Sequence, residues 1–363
     1  MYDESIDYNG TKLFSGGINP DNLPQAIRNG KCQAIYPHER LRVNTIWEII
    51  EASGKETAYT DKHPAYDLVR GPSGKGLTVG YFPEIAAVKN TVADTITYDQ
   101  LHVDAFLDFI GGKSPVNSEV QGKGLTGTPA LFGGNFQAVS VAQKTSGYVN
   151  GSLAFTPKLV TALDFVDASL GKVVAGLKAK GVYEETLIIV ASKHGQAPIN
   201  PALFREINPD LVSSSTGVNV SHATTDDVAL IWLEDQKTLA TAVANLNKAR
   251  STLQIQDIIY GDRLVDMGFG NPLADPAVPD IIIRPELGVI YTSSKAKIAE
   301  HGGLSDDDRH VACFISNPCL KKTRVSGHIT TRRVAPTVLK VLGLSPRALQ
   351  GAVAEEVALL EGF

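Results

Sequence analysis

Between Thr156 and Ser192 the chain spells out a helix, a stop and a strand, and that unit limits the folds open to it. Thr156 can cap a helix with Pro157 in its first turn, and Leu159, Leu163, Val166, Leu170, Val173, Val174 and Leu177 recur at helical spacing. Gly181 ends the helix. The run LIIVAS at 187–192 lacks polar alternation, which predicts a strand covered on both faces, as in a parallel sheet. Such a strand needs helices on either side of it.

The same alternation recurs along the chain. Thr45 and Glu48 have the capping-box spacing for a helix over 45–53, with Gly54 to close it and a strand, ETAYT, at 56–60. A helix is expected over 88–110, with Val92, Ile96, Leu101, Phe106 and Phe109 inward. Strands are expected at 228–233, 255–260, 280–284 and 311–316, and helices at 236–249 and 331–344. The last carries Val334, Val338, Leu339 and Leu342 on its core side and tolerates Pro336 in its first turns. Residues 1–40 and 111–155 read as loops rich in Gly, Ser, Asn and Pro. The fold class is therefore α/β, with a mostly parallel central sheet and helices on both faces. The expected division is a loop-rich segment over 1–43, one α/β domain over 44–350 and a tail over 351–363.

Composition removes several function classes. With 43% hydrophobic residues the chain can bury a sizeable core, and its net charge of −5 argues against wrapping a nucleic-acid polymer. The three cysteines, Cys32, Cys313 and Cys319, make neither a C-x-x-C pair nor a disulfide framework; a single Cys313–Cys319 bridge is the one pairing to consider. No apolar run reaches 18 residues, so no membrane span is expected, and the N-terminal MYDESIDYNG has no signal-peptide pattern. Sequons at Asn9, Asn150 and Asn219 are compatible with secretion of a full-length form. The loop RGPSGKGLTVG at 70–80 fails the P-loop pattern, because Val69 stands where its first glycine belongs and Gly76 follows Lys75. No G-x-S-x-G elbow occurs.

Ligands in α/β sheets gather at the carboxyl ends of strands. Asp61, Lys62 and His63 follow the strand at 56–60; Lys193, His194 and Gly195 follow the one at 187–192; His301 opens HGGLSDDD before the strand at 311–316. Cations and imidazoles so placed suit a phosphate or sulfate ester, whose oxygens gain charge as it reacts. Asp306-Asp307-Asp308 lacks EF-hand spacing and reads as a solvated turn; Asp226-Asp227 read as turn residues before a strand; Trp47 and Trp232 read as core.

These runs resemble the alkaline phosphatase superfamily, nearest its type I phosphodiesterase/nucleotide pyrophosphatase branch. TLIIVASKHGQAP is similar to the family strand ending in Asp-His-Gly, IAEHGGLSDDDRHVACFIS to the late His-Gly motif and its following strand, and TTRRVAPTVLKVLGLSP to the closing helix. TIWEIIEASGKETAYTDKHPAY resembles the sulfatase helix–strand unit ending in Gly-Lys-Trp-His. The resemblance implies an alkaline-phosphatase-like three-layer sandwich that hydrolyses phosphate or related esters with zinc. It implies His194 and His301 as metal ligands, Lys193, Lys62 and His63 as catalytic groups, and Asp61 and Gln137 as substrate-binding groups. The departures are specific. Where Asp-x-x-x-His belongs the chain has Gln137 and Val141, and Lys193 replaces the Asp of Asp-His-Gly. An ammonium cannot ligate a cation, but it can hold an anion. The family's first strand and its Ser/Thr nucleophile find no counterpart before Asn44, so that segment is expected to be missing, the zinc site incomplete and the chain poorly soluble alone. Two expectations follow: a phosphodiesterase-like hydrolase that takes a small phosphate or sulfate ester when full length, or a catalytically degenerate relative that binds an anionic ligand or partner.

Overall fold

The computed structural model describes residues 23–85, 88–198, 202–294 and 297–363, so MYDESIDYNG and the Asn9 sequon lie outside the described residues. The chain forms two compact units. One holds the described residues up to Ala138, with Asp164–Leu187 and Asn317–Phe363; the other holds Val139–Leu163 and Ile188–Ser316. No helix among the described residues is long and apolar enough to cross a membrane.

The first unit contains the parallel sheet. Thr57–Thr60 runs at its centre, parallel to Val79–Tyr81 on one side and to Leu131–Gly134 on the other; Glu119–Val120 adds an antiparallel edge. Thr57, Ala58 and Thr60 are buried, as expected of β-branched and small residues in a central strand. Gly134 is required for the close approach: a Cβ there would lie 2.6 Å from the Thr60 carbonyl. Helix Val92–Gly111 packs with its buried Val103, Phe106 and Phe109 inward, while Ile96 and Leu101 are only half-buried. Phe106, Phe109, Phe132, Phe136 and Phe165 meet edge-on or tilted with centroids 5.8–6.4 Å apart, each burial worth roughly 1.5–3 kcal/mol. Helix Ile46–Ala52 begins at Thr45 with the expected capping box and buries Ile50 against Leu339 and Leu349 from the chain's far end. Asn44 clasps that end too. Its amide nitrogen donates to Gln350 Oε1 (3.0 Å), its Nδ2 to the Ala348 carbonyl (2.8 Å), and its Oδ1 accepts from the Gln350 amide (3.0 Å).

The second unit holds an antiparallel sheet in the order Val220–Thr225, Ala229–Leu233, Ile281–Pro285, Ile255–Tyr260. The link between the first two strands is too short for a crossover, so they pair as a hairpin. Ile231, Leu246, Leu253, Ile258, Ile281 and Ile283 form its core, and the buried Tyr291 hydroxyl donates to the Leu253 carbonyl at 3.0 Å. Among the described residues, parallel pairing in this unit is confined to Val289–Tyr291 with Arg205–Ile207.

Several expectations change. The run predicted to be covered on both faces, Ile188–Ala191, is half-buried to exposed and pairs antiparallel with Cys313–Ser316, whose Phe314 is 66% exposed. Leu163, expected inward, is 40% exposed. The stretch at 111–155 contains the strand Leu131–Gly134 and the helix Ala138–Ser146; a four-residue strand with two glycines and a helix rich in Ser, Gln, Lys and Thr carry little apolar period. All three cysteines are free thiols. Trp232 is buried, whereas Trp47 is half-buried with its edge toward Tyr59.

Candidate functional site

The carboxyl ends of the parallel strands gather one cluster. After Thr57–Thr60 the chain continues to a neighbour on one side and later fills the other side, which makes this end a topological switch point. Asp61, 1% exposed, accepts from the Tyr59 hydroxyl (2.9 Å) and the Lys62 amide (2.7 Å). His63 Nδ1 lies 2.7 Å from Oε1 of Glu84, which is 6% exposed and follows Val79–Tyr81. A carboxylate only accepts, so Nδ1 carries a proton, and in the neutral imidazole the lone pair is then on Nε2.

Below these groups sits Asp99, on helix Val92–Gly111. Its Oδ2 accepts from the amides of Gln137 and Ala138, at 2.7 Å each, where helix Ala138–Ser146 begins. Burial pushes the Asp99 carboxyl up to about 7; the two amides oppose that, the Asp61 charge adds to it and Lys62 subtracts from it. His102 is fully buried, bonds Thr60 Oγ1 through Nδ1 (2.6 Å), and is pushed down to about 3 by burial. Sequence reading missed Glu84, Asp99 and His102. The last two had a signal, because polar residues three apart interrupt an apolar helix face. Asp99→Ala should cost about 2 kcal/mol in urea unfolding by stranding two buried amides, and Asp99→Asn should recover most of it. Equal stabilities for the two variants would show that these amides do not depend on residue 99.

The second unit brings His194 and His301 together. Their ring centroids are 3.7 Å apart, tilted by 30°, and His194 Nδ1 donates to the Gly195 carbonyl (2.7 Å). Lys193, beside them in the chain, is exposed. Glu300 pairs with Lys144 (2.5 Å) and with Lys297, which also reaches Asp226 Oδ1 at 3.1 Å. Burial pushes the Glu300 carboxyl up, but the two ammoniums outweigh that and hold it below its ordinary value. Burial, then Lys144 and His194, pushes His301 down to about 3, so its imidazole stays neutral at physiological pH.

Asp226 and Asp227 form the expected turn before strand Ala229–Leu233, whereas the reading of Asp306-Asp307-Asp308 as solvated needs correction. Asp306 and Asp307 are exposed, but Asp308 is 5% exposed and faces Asp227, whose carboxyl oxygens are buried.

The two-zinc centre implied by resemblance is not matched by these residues. Among the described residues no three His, Cys, Asp or Glu side chains converge to hold an ion. Lys193 brings an ammonium beside His194, and Gln137 spends its backbone amide on Asp99.

The family model for type I phosphodiesterase/nucleotide pyrophosphatase matches residues 19–306. Among solved structures, murine ectonucleotide pyrophosphatase/phosphodiesterase 5 aligns with a TM-score of 0.56 at 16% identity, covering 83% of this chain and 70% of that one. Its inactive variant in complex with AMP aligns with a TM-score of 0.55 at 15% identity, with coverages of 83% and 70%. The human counterpart gives 0.58 at 14% identity, with coverages of 93% and 86%. At these identities the likeness is one of fold. No curated protein sequence matches the chain significantly.

Proposed function

Because this chain belongs to the type I phosphodiesterase/nucleotide pyrophosphatase family of the alkaline phosphatase superfamily, we propose that it hydrolyses small phosphate or related esters and that His63, oriented by Glu84, moves the proton. The observation that carries this reading is the 2.7 Å contact between His63 Nδ1 and Glu84, which leaves Nε2 as a base at the carboxyl end of the central parallel strand. Lys62 supplies positive charge for the ester oxygens, and Asp61 and Gln137 contribute substrate contacts. In the second unit Lys193, His194 and His301 offer an ammonium and two imidazoles to an anion. Water attacks phosphorus, and its proton passes to His63 Nε2 as the new P–O bond forms. The bond to the leaving alcohol breaks, and the departing oxygen takes a proton from solvent. His63 is the catalytic residue in this scheme and Glu84 its positioning residue.

The AMP complex of the murine relative makes AMP a sensible ligand and bis-p-nitrophenyl phosphate a sensible substrate. His63→Ala is expected to lower kcat by about 10²–10⁴-fold. Glu84→Gln should lower kcat at least roughly tenfold with KM nearly unchanged, a split that loss of packing alone would not give. Variants as active as the parent would remove His63 from the mechanism. The second reading, a degenerate relative that binds an anion, is favoured by Lys193 and Val141 at family ligand positions. AMP binding without turnover in the parent chain would decide for it.

A further inference from the structure

Charge is unevenly placed along this chain. Between Asp308 and Glu355 there is no Asp or Glu and there are eight Lys or Arg, although the whole chain carries 39 acidic residues against 34 basic ones. Within that stretch residues 318–328 are all exposed, and 321–330 form neither helix nor strand. The strip is tied to the first unit at its ends. Asn317 Nδ2 donates to the carbonyls of Glu184 and Thr186 at 3.0 Å each, and Arg332 pairs with Glu355. Between those ties no amide of residues 321–329 bonds another backbone group among the described residues.

Three cations stand close together on this strip: Lys321, Lys322 and Arg324. Among the described residues none of the three forms an ion pair, whereas Arg332 at the border does. Glu361 comes beside Gly327, with Oε1 3.4 Å from where a Cβ would stand, and offsets part of the charge. Cations that meet no carboxylate within the fold are available to an anionic partner.

The uncharged residues decide which kind of anion suits the strip. Leu320, 41% exposed, and Val325, 37% exposed, flank the three cations. Exposed apolar side chains gain little from a soluble polyanion but gain from the acyl boundary of a bilayer. No Phe, Tyr or Trp lies between Phe314 and Phe363, so the strip offers no ring on which a nucleobase could stack. In about 0.1 M salt, charges beyond about 10 Å are screened, so the local strip and not the net charge of −5 governs contact with a surface.

We propose that residues 320–325 form a peripheral docking strip for an anionic phospholipid surface, with Lys321, Lys322 and Arg324 on the headgroups and Leu320 and Val325 at the acyl boundary. This strip lies in the first unit and does not depend on the hydrolase reading.

The test is flotation of the full chain with phosphatidylcholine vesicles, plain or containing about 30% phosphatidylserine, in about 0.1 M salt. Binding is expected to the anionic vesicles alone and to weaken as salt rises. Each cation near such a surface contributes about fivefold in partitioning, so replacing Lys321, Lys322 and Arg324 together by Ala should weaken binding on the order of 100-fold. A control that replaces the exposed Lys31, Lys123 and Lys248 by Ala makes the same change in net charge and should bind like the parent. Leu320→Ser with Val325→Ser should lose binding severalfold and keep its salt dependence. All these side chains are exposed, so each variant is expected to keep the parent's Tm. No binding to the anionic vesicles, equal binding to the plain ones, or equal losses in the triple variant and its control would overturn the proposal. Unchanged vesicle binding by the Leu320 and Val325 variant, with tight retention on heparin, would assign the strip to a soluble polyanion instead.

Discussion

Gly195→Ala is expected to cost about 3–5 kcal/mol, a large part of the stability of a typical domain. A Cβ at this position would lie 1.8 Å from the Asp307 carbonyl oxygen and 2.8 Å from the Asp308 carbonyl carbon and oxygen. These are backbone atoms, so no rotamer change relieves the clash. Withdrawal would break the bond from the Gly195 amide to the Asp308 carbonyl (2.6 Å) and pull His194 from its stack on His301. Gly151→Ala is the natural control. It has φ +75° but nothing within 4 Å of the added methyl, so only the left-handed backbone is penalised, at about 1 kcal/mol. Urea unfolding of the two variants beside the parent measures the contrast. Equal, small losses would mean that the 193–195 loop does not lie against 306–309 in solution.

Asp227→Asn should stabilise the protein at high pH. Burial, and then the Asp308 carboxyl, lifts the Asp227 carboxyl from an ordinary 3.8 to about 8. The folded chain therefore keeps a proton that the unfolded chain releases. Stability from that proton is full below pH 4 and is lost as pH rises toward 8. Each pH unit of that interval carries about 1.4 kcal/mol, which relaxation of the pair around its extra charge reduces to a total on the order of 3 kcal/mol. An amide has no such charge to bury. Unfolding free energies at pH 4 and pH 8.5 should thus differ more in the parent than in the variant. Parallel pH profiles would show that Asp227 is not held protonated by its neighbour.

What the sequence disclosed, and what it hid, follows from the range of the interactions concerned. The Thr45–Glu48 capping box and the Ile46–Ala52 helix were legible because every contact that defines them lies within one turn. Asp61, Lys62 and His63 could be placed at the end of a strand because strand and loop are adjacent in the chain. Glu84 could not be paired with His63, since the pairing depends on which strand lies beside Thr57–Thr60. Ile188–Ala191 shows the converse failure. An apolar run reports that burial is favourable, not which partners deliver it. The strands Ala229–Leu233, Ile255–Tyr260 and Ile281–Pro285 match the predicted positions while Val220–Thr225 was not foreseen, and their antiparallel direction is set by how sharply the chain reverses between them. Asp308 reads as part of a solvent turn because acidic residues usually are, and only the Gly303 and Gly195 contacts reveal that it turns inward.

The Asn44 clasp sets a timetable for synthesis. Its partner Gln350 lies 306 residues downstream. At roughly 5–20 residues per second, a ribosome needs about 15–60 s to make the second half of that contact after the first. Throughout this interval Ile50 waits for Leu339 and Leu349, and the segment around Thr57–Thr60 must stay in solution with part of its apolar surface uncovered. The second unit, encoded between the two halves of the clasp, can close before the first is complete. Translation speed and chaperone supply should therefore govern the yield of the first unit far more than that of the second.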